Sequence, residues 1–275
     1  MDIAEGLGTH TLTKAAIAGL LLYAVNYKAR YYMKFSIYAI WCMLAATLPI
    51  PLMLPWPRDY RNAYIPASLC RMVSRFIGIS WIVRGQENIV KNSGAVMLIN
   101  HQSALDLTIL AILWPLVGRC TVISKREIFY IWPFGLASYL WGTLFIDRKN
   151  RTGATKAVND TAQAINRKHA KLCMFPEGTR HSGSELLQFK KGAFYVAITN
   201  QCPIQPIVVS RYHFLNCSIK KFSSGFNIIT ILPAIPTQGL TLDNLDDLIE
   251  KTHQTMSRYY KQTSQEVENL MVNIY

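Results

Sequence analysis

Acidic residues are scarce in this chain of 275 residues: 16 Asp and Glu stand against 29 Lys and Arg, and charged residues make up only 16%. The six cysteines form no C-x-x-C pair and have no zinc-like spacing with histidine, which argues against a disulfide framework or a zinc site and favours reduced, structural thiols. The chain also lacks a Gly-x-Ser-x-Gly nucleophile elbow, internal repeats and low-complexity segments. The formal net charge of +13 indicates anionic partners such as phosphate groups or acidic lipids. Because the basic residues are dispersed and form no known module, nucleic-acid binding is disfavoured.

The first 57 residues contain two uncharged stretches, Ala15–Tyr27 and Phe35–Trp56, separated by the basic, aromatic segment Lys28–Lys34. They carry neither the early basic region nor the cleavage site of a signal peptide. Three prolines at positions 49, 51 and 55 interrupt the second stretch, whereas about 20 apolar residues are needed to cross a bilayer. Residues 1–57 are therefore predicted to form a two-helix membrane anchor, either as two spans or as a pair embedded in one leaflet. A buried helical hairpin is the alternative.

Residues 58–275 alternate strand-like and helical patterns, after a basic, amphipathic stretch up to Gly78. The predicted strands are Trp81–Arg84, Ala95–Ile99, Cys120–Ile123, Thr143–Ile146, Leu172–Phe175, Ile204–Val209 and Phe226–Leu232. The predicted helices are Leu107–Leu113, Phe129–Trp141, Thr152–Lys168, Lys191–Asn200 and Leu242–Met271, the last with Thr241 as its cap. This alternation predicts a single α/β domain over residues 58–275 with a largely parallel core sheet.

One polar segment, Asn100-His-Gln-Ser-Ala-Leu-Asp106, lies where a predicted strand gives way to a helix, a position at which α/β proteins bind ligands. On one helix, His101 and Asp106 would face about 140° apart. They can meet if His101 lies in the loop and Asp106 in the first helical turn. Ser103 and Asp106 have capping-box spacing, which predicts a helix start near residue 103. The alternative is an ordinary loop histidine and an aspartate that only caps the helix.

Three further loops follow or begin predicted strands: Gly142-Thr-Leu-Phe-Ile-Asp147-Arg148, Phe175-Pro-Glu177-Gly178-Thr179-Arg180 and Pro203-Ile-Gln-Pro206-Ile207. In the second of these, proline and glycine predict a sharp turn that lets the backbone approach a ligand. Glu177 and Arg180 would then project from a rigid backbone. A solvated surface turn is the alternative interpretation.

The four segments, in this order, resemble the four motifs of the 1-acylglycerol-3-phosphate O-acyltransferases, also called lysophosphatidic acid acyltransferases. Segments around Lys125 and Phe189-Lys-Lys-Gly-Ala-Phe194 also resemble the family, and the likeness covers nearly the whole chain. The resemblance implies transfer of a fatty acyl chain from acyl-CoA to the sn-2 hydroxyl of lysophosphatidate, giving phosphatidate and CoA. It implies acyl-CoA as a co-substrate, no cofactor, no metal and no acyl-enzyme.

The chemistry of this reaction, together with the resemblance, assigns roles to residues within the motifs. His101 would be the general base and Asp106 would orient it, as in a Ser-His-Asp triad in which the substrate hydroxyl replaces serine. Arg180 and Lys125 would bind the substrate phosphate, and Glu177 would orient the glycerol of the acceptor. The remaining motif residues, expected to bind substrate or support the site, are Gly178, Thr179, Asn100, Asp147, Arg148 and Pro206. His169, His181 and His213 are predicted to be structural.

Two alternatives stay open at this point. The acceptor could be another lysophospholipid or glycerol phosphate, or the chain could be an inactive, membrane-shaping scaffold, which an intact His101 and Asp106 disfavour. We expect the protein in the endoplasmic reticulum membrane, in contact with membrane lipid, with its catalytic domain facing the cytosol because acyl-CoA is a cytosolic metabolite.

Overall fold

A computed structural model describes residues 2–146, 165 and 169–272. The chain begins with two long helices, α1 (Asp2–Val25) and α2 (Tyr27–Thr47), followed by the short α3 (Ile50–Met53). Asn26 separates the first two, because its side chain accepts hydrogen bonds from the amides of Lys28 and Ala29 and so caps α2. The predicted helix pair is therefore present. Within the described residues, however, no helix is long and apolar enough to cross a membrane, so the predicted anchor is not supported as a pair of membrane spans.

Helix α2 packs against the rest of the protein through a face that repeats every three to four residues. Tyr31, Lys34 and Tyr38 are buried on this face, and the hydroxyl of Tyr38 lies 2.9 Å from that of Thr108. Tyr31 and Tyr38 belong to the same apolar cluster as Ile109. The division into residues 1–57 and 58–275 stays a prediction, but α2 shares its core with the region that follows.

The described part of the chain builds a seven-stranded mixed sheet in the order β1-β9-β6-β2-β5-β3-β4. Its strands are β1 (Ile79–Arg84), β2 (Ala95–Ile99), β3 (Cys120–Lys125), β4 (Leu144–Ile146), β5 (Lys171–Met174), β6 (Ile204–Val209) and β9 (Gly225–Ile231). The five strands from β6 to β4 are parallel to one another. β1 and β9 are parallel to each other but antiparallel to β6. The predicted largely parallel sheet is confirmed, with this reversed edge as an addition.

Helices cover the sheet, and a small hairpin of β7 (Leu215–Asn216) and β8 (Lys221–Phe222) lies outside it. The helices of this region are α4 (Tyr64–Phe76), α5 (Asp106–Val117), α6 (Phe134–Leu140), α7 (Lys191–Thr199) and α8 (Leu245–Val272). Strand β2 is buried at every position, as a central parallel strand covered on both faces must be. All six cysteines are free thiols.

Several predicted helix boundaries differ from the structure, including the end of α5, which is Val117 rather than Leu113. The predicted helix Phe129–Trp141 is wrong as one element, because Pro133 precedes α6 and a 3₁₀ turn, Arg126–Tyr130, occupies the region before it. Thr241 does cap with a capping box, but it opens a short 3₁₀ turn before α8. Helix α5 begins at Asp106 rather than near residue 103. The predicted helix Thr152–Lys168 lies outside the described residues except at residue 165, which is helical and buried.

Candidate active site

His101 lies directly after β2, and Asp106 opens α5. Nδ1 of His101 is 2.6 Å from Oδ2 of Asp106, so the two side chains meet as their positions in loop and helix predict. A carboxylate can only accept, so Nδ1 carries the proton in neutral His101 and Nε2 keeps its lone pair. About 19% of the His101 side chain is exposed, against 4% of that of Asp106. The imidazole is therefore reachable by a substrate while its carboxylate partner is shielded.

The Asp106 carboxylate accepts four hydrogen bonds. Besides His101, Oδ2 accepts from the backbone amides of Gln102 at 2.7 Å and Ser103 at 3.1 Å, and Oδ1 accepts from the hydroxyl of Tyr212 at 2.7 Å. A buried charge is tolerated when it is paired and hydrogen-bonded in this way. The same contacts explain the late start of α5: the carboxylate ties down the loop from residue 101 to 103, so regular helix begins only at Asp106 itself.

Two buried amide side chains fasten this loop to the end of β6. Asn100 makes a two-way bridge, donating to the carbonyl of Val209 and accepting from its amide. Gln102 donates to the carbonyls of Val209 and Ser210 and accepts from the amide of Tyr212. The second bridge fixes the backbone of Tyr212, and so places its hydroxyl on Asp106. Asn100 therefore holds the loop that carries His101 against β6, and its part in the predicted site stays a prediction.

Glu177 contacts the loop that carries His101. Its Oε1 accepts from the amide of His101 at 2.8 Å and its Oε2 from the amide of Leu187 at 3.0 Å, and Glu177 is only 2% exposed. Burial raises the pKa of the Glu177 carboxyl above its usual value, and the two backbone donors act against that shift. In this structure Glu177 holds the histidine loop in place. Its expected contact with the acceptor glycerol stays a prediction.

The turn that carries Glu177 has the predicted sharp form. The amide of Gly178 donates to the carbonyl of Phe175 at 3.1 Å, and Gly178 has a φ of +70°, which other residues rarely adopt. The ring of Phe175 stacks on His101 with centroids 4.1 Å apart and planes inclined by 24°. Phe175 thus holds the imidazole from one face while Asp106 holds it from its edge.

The two predicted phosphate ligands lie at the same edge of the sheet. Lys125 ends β3 and Arg180 follows β5, and these strands are neighbours. Both side chains are exposed, as is Thr179. Within the described residues neither cation takes part in an ion pair. Both remain available to an anionic ligand, and their predicted role stays a prediction.

The remaining predicted residues divide between buried positions and positions that are not described. Pro206 is buried in β6, opposite Leu98 of β2, and contributes to the sheet. Asp147 and Arg148 lie outside the described residues. His213 lies within 3.1 Å of the carbonyl of Ser264 through Nε2, and burial lowers its pKa, which agrees with a structural role. Within the part of the chain that the structure describes, no group of three or more His, Cys, Asp or Glu is arranged to hold a metal ion.

Sequence reasoning did not find the contacts that Tyr212, Gln102 and Phe175 make with His101 and Asp106. Tyr212 is 106 residues from Asp106 along the chain, so no local spacing connects them. Only the predicted adjacency of strand ends could have suggested the contact. Phe175 and Gln102 lie within recognised motifs, but their side chains carry no acid or base and were passed over.

Comparison with known proteins places this arrangement in a family. Residues 80–210 match the Acyltransferase family, a range that contains the segments around His101 and Glu177. The human 1-acyl-sn-glycerol-3-phosphate acyltransferase alpha is 35% identical over 86% of this chain and 83% of its own length. The human beta enzyme of the same name is 34% identical over 89% of this chain and 88% of its own length.

A solved structure shows the same fold. It is the 1-acyl-sn-glycerophosphate (LPA) acyltransferase PlsC from Thermotoga maritima, which superposes with a TM-score of 0.66 at 19% identity and covers 86% of this chain and 96% of that one. The sequence matches cover 83% and 88% of the two human enzymes. The range that matches the family contains the hydrogen-bonded His101 and Asp106. This chain belongs to the 1-acyl-sn-glycerol-3-phosphate acyltransferase family.

Proposed function

We propose that this protein transfers a fatty acyl chain from acyl-CoA to the sn-2 hydroxyl of lysophosphatidate, giving phosphatidate and CoA. The observation that carries this proposal is the 2.6 Å contact between His101 and the buried Asp106, at the edge of the sheet where Arg180 and Lys125 also lie. The names of the relatives supply the acceptor. An acyl acceptor with a hydroxyl and a phosphate suits a base and two cations that follow or end strands of the same sheet.

The chemistry follows from the tautomer of His101. Its Nε2 takes the proton of the sn-2 hydroxyl while that oxygen attacks the thioester carbon, and Asp106 stabilises the imidazolium that forms. The tetrahedral intermediate then collapses, the carbon–sulfur bond breaks, and the proton passes to the CoA sulfur. A thiol whose pKa resembles that of cysteine, about 8.5, leaves with little assistance. Because the substrate hydroxyl is the nucleophile, the reaction needs no acyl-enzyme and no cofactor.

Two other parts of the site support the acceptor and the intermediate. Arg180 and Lys125 bind the lysophosphatidate phosphate in this proposal through charge-assisted hydrogen bonds; their exposure and lack of an ion pair within the described residues support this role. Backbone amides of the glycine-bearing loops are the candidates for stabilising the oxyanion of the intermediate. Glu177 acts on the histidine loop through its two backbone contacts.

A thiol-release assay tests the proposal. Purified protein is given acyl-CoA with lysophosphatidate, with other lysophospholipids or with glycerol 3-phosphate, and the lipid products are identified by mass spectrometry. We expect CoA release and phosphatidate formation with lysophosphatidate, and a loss of roughly 10²–10⁴-fold in His101→Ala. CoA release with another acceptor, but not with lysophosphatidate, would show that the acceptor in this proposal is wrong. A folded wild-type protein that releases no CoA with any acceptor would support the inactive scaffold.

We also propose that the N-terminal helices attach the protein to one leaflet of the endoplasmic reticulum membrane, with the active site facing the cytosol. Apolar side chains exposed on α1, α2 and α3 support this proposal: Leu20, Leu21, Ile40, Leu44 and Leu52. Burying apolar side chains in lipid stabilises such attachment. Flotation of the protein with microsomes, and its release by detergent but not by salt, is expected.

The orientation is tested by glycosylation. Asn216-Cys-Ser218 is an N-glycosylation sequon, and Asn216 is exposed at the end of β7, so it is accessible in the folded protein. Two further sequons, at Asn150 and Asn159, lie outside the described residues. We expect no endoglycosidase-sensitive mass on protein from cells, since glycan is added only on the lumenal side. A glycan on Asn216 would contradict a cytosolic active site.

A further inference from the structure

Three basic side chains line a cleft at the junction between the N-terminal helices and the β7–β8 hairpin. Arg30 and Lys34 lie one helical turn apart on α2, and Lys221 begins β8. The cleft has a volume of about 560 Å³, and its wall is completed mainly by Tyr23, Phe214 and Met271. None of these residues belongs to the four motifs of the acyltransferase site, so the cleft is a second feature of the protein.

Lys34 carries an ammonium group that is almost completely withdrawn from water. The residue is 3% exposed, its Nζ donates to the carbonyl of Ser223 at 3.1 Å, and it lies 5.0 Å from the centre of the Phe222 ring. Burial, together with the charge of Arg30, lowers the pKa of Lys34 to about 8. An ammonium has three N–H donors, and a single carbonyl acceptor does not compensate for the loss of water around it.

No carboxylate in the described residues forms an ion pair with Arg30, Lys34 or Lys221. The charge of Glu268 acts on His213 at the rim of the cleft, without pairing with any of the three cations. Buried charges are normally paired. The cleft therefore holds positive charge that the described part of the protein leaves uncompensated, which an anionic ligand would neutralise.

Arg30 is held in a fixed position at this cleft. Its Nε donates to the carbonyl of Tyr23 at 3.1 Å, and one terminal nitrogen donates to the carbonyl of Ala24 at 2.8 Å. These carbonyls end α1, where a positive charge is favourable. The arginine thus joins the end of α1 to the cleft. Fixed guanidinium and buried ammonium groups that face one space suit a phosphate, which accepts several charge-assisted hydrogen bonds.

The surroundings of the cleft indicate what carries the phosphate. Helix α1 supplies Tyr23 to the wall, and the same end of this helix exposes Leu20, Leu21, Leu22 and Val25. A ligand in the cleft would have its charged group at the cations and apolar surface beside it on α1. We propose that the cleft binds the phosphate headgroup of an anionic phospholipid, with the acyl chains of the lipid lying along α1.

This site does not depend on the acyl-transfer reaction, and a binding experiment without acyl-CoA tests it. The full-length protein is sedimented with vesicles of phosphatidylcholine alone, phosphatidylcholine with phosphatidate, or phosphatidylcholine with cholesteryl hemisuccinate at equal surface charge. Lys221→Gln is expected to weaken binding to the phosphatidate vesicles about fivefold, and Lys34→Met by about tenfold or more. Lys251→Gln, an exposed change on α8 with the same loss of charge, is the matched control and should bind like the parent.

Three results would overturn the proposal. Equal losses in Lys221→Gln and Lys251→Gln would mean general attraction to a charged surface. If the protein binds the hemisuccinate vesicles as tightly as the phosphatidate vesicles, and this binding also depends on Lys34, the cleft is not specific for phosphate. Inorganic phosphate that binds as tightly by calorimetry in the absence of vesicles would replace the lipid with a free anion. If circular dichroism shows that Lys34→Met does not fold, the exposed Lys221 decides the outcome.

Discussion

The hydroxyl of Tyr212 donates a 2.7 Å hydrogen bond to Oδ1 of Asp106, on the side of the carboxylate that His101 does not use. Burial and the nearby Asp106 charge raise the pKa of this phenol well above its ordinary value, so Tyr212 stays a donor at every physiological pH. The ring is held independently by stacking on Phe214 and by edge contact with Trp81. Tyr212 is therefore a positioning residue for the aspartate rather than a group that touches substrate.

Tyr212→Phe removes that donor and keeps the ring. Hydrogen bonds to charged groups contribute about 1.5–3 kcal/mol, so we expect a loss in kcat of roughly tenfold or more. With one donor fewer, more negative charge remains on Asp106, which favours protonated His101. The acidic limb of the pH–rate profile should therefore move to higher pH. Tyr195→Phe, an exposed change on α7, is the control. If the pH–rate profile of a stable Tyr212→Phe protein is unchanged, Tyr212 contributes only through the packing of its ring.

Asp106→Asn tests the tautomer of His101. The amide can offer a donor to Nδ1, which then places the imidazole proton on Nε2, where the reaction needs a lone pair. We expect kcat to fall by roughly 10⁴-fold, as for the aspartate of a serine protease triad. Asp106→Asn also leaves several donors facing a weaker acceptor, so thermal unfolding must be measured beside the rate. A folded variant with near-normal turnover would rule out His101 as the general base.

The agreement between sequence and structure is closest where local pattern decides the outcome. The strands Ala95–Ile99 and Ile204–Val209 are observed with their predicted bounds, because short, mainly apolar runs bounded by turn residues indicate buried strands. The spacing of His101 and Asp106 also predicted their contact, since the loop after β2 leads directly into the first turn of α5. The reversed direction of β9 and the contact from Tyr212 depend on how distant segments are arranged in the sheet, which residue periodicity does not encode.

Glu177 shows the limit of motif reasoning within the site. The resemblance predicts that Glu177 orients the acceptor glycerol, which stays a prediction, and it gives no sign that the oxygens of Glu177 accept from the amides of His101 and Leu187. The local sequence pattern indicates an acidic residue in a tight turn. It does not indicate which donors hydrogen-bond to that carboxylate. The amide of His101 can do so because β2, which precedes His101, lies beside β5, which precedes Glu177.

Glu177→Gln distinguishes positioning from substrate binding. The amide keeps one acceptor oxygen, so either His101 or Leu187 loses the partner of its backbone N–H. We expect the unfolding free energy to fall by about 1–3 kcal/mol, and kcat to fall with little change in KM for lysophosphatidate. If Glu177 instead contacts the acceptor, KM will rise. Glu185→Gln, which alters an exposed ion pair with Lys261, is the control and should leave both constants unchanged.

Lys34 is expected to make the unfolding free energy depend on pH, and comparison with a Lys34→Met variant measures its contribution. Burial lowers the pKa of Lys34 from the ordinary 10.5 to about 8, so between these values the unfolded chain binds more protons than the folded one. The unfolding free energy contributed by this group therefore rises with pH across that window. Denaturant unfolding of wild type and Lys34→Met at a series of alkaline pH values should show the difference between them moving in favour of the wild type. Parallel pH curves would mean that Lys34 titrates normally.

Arg180 tests whether the tight turn after β5 forms part of the acceptor site. Its side chain is exposed and offers planar, bidentate hydrogen bonding to a phosphate. Losing one hydrogen bond to a charged group should weaken binding roughly ten- to a hundredfold. We therefore expect Arg180→Ala to raise KM for lysophosphatidate far more than KM for acyl-CoA, and Arg180→Lys to recover only part of the loss.

The control for Arg180 is Arg258→Ala, an exposed change on α8 that removes the same charge and should leave both KM values unchanged. Lys125→Ala should act in the same direction as Arg180→Ala, because Lys125 ends the strand next to the one that Arg180 follows. A smaller effect is expected, since an ammonium binds phosphate as a point charge without the guanidinium fork. A rise confined to KM for acyl-CoA would place Arg180 on the phosphates of the donor, and the acceptor phosphate would then have to be bound elsewhere in the site.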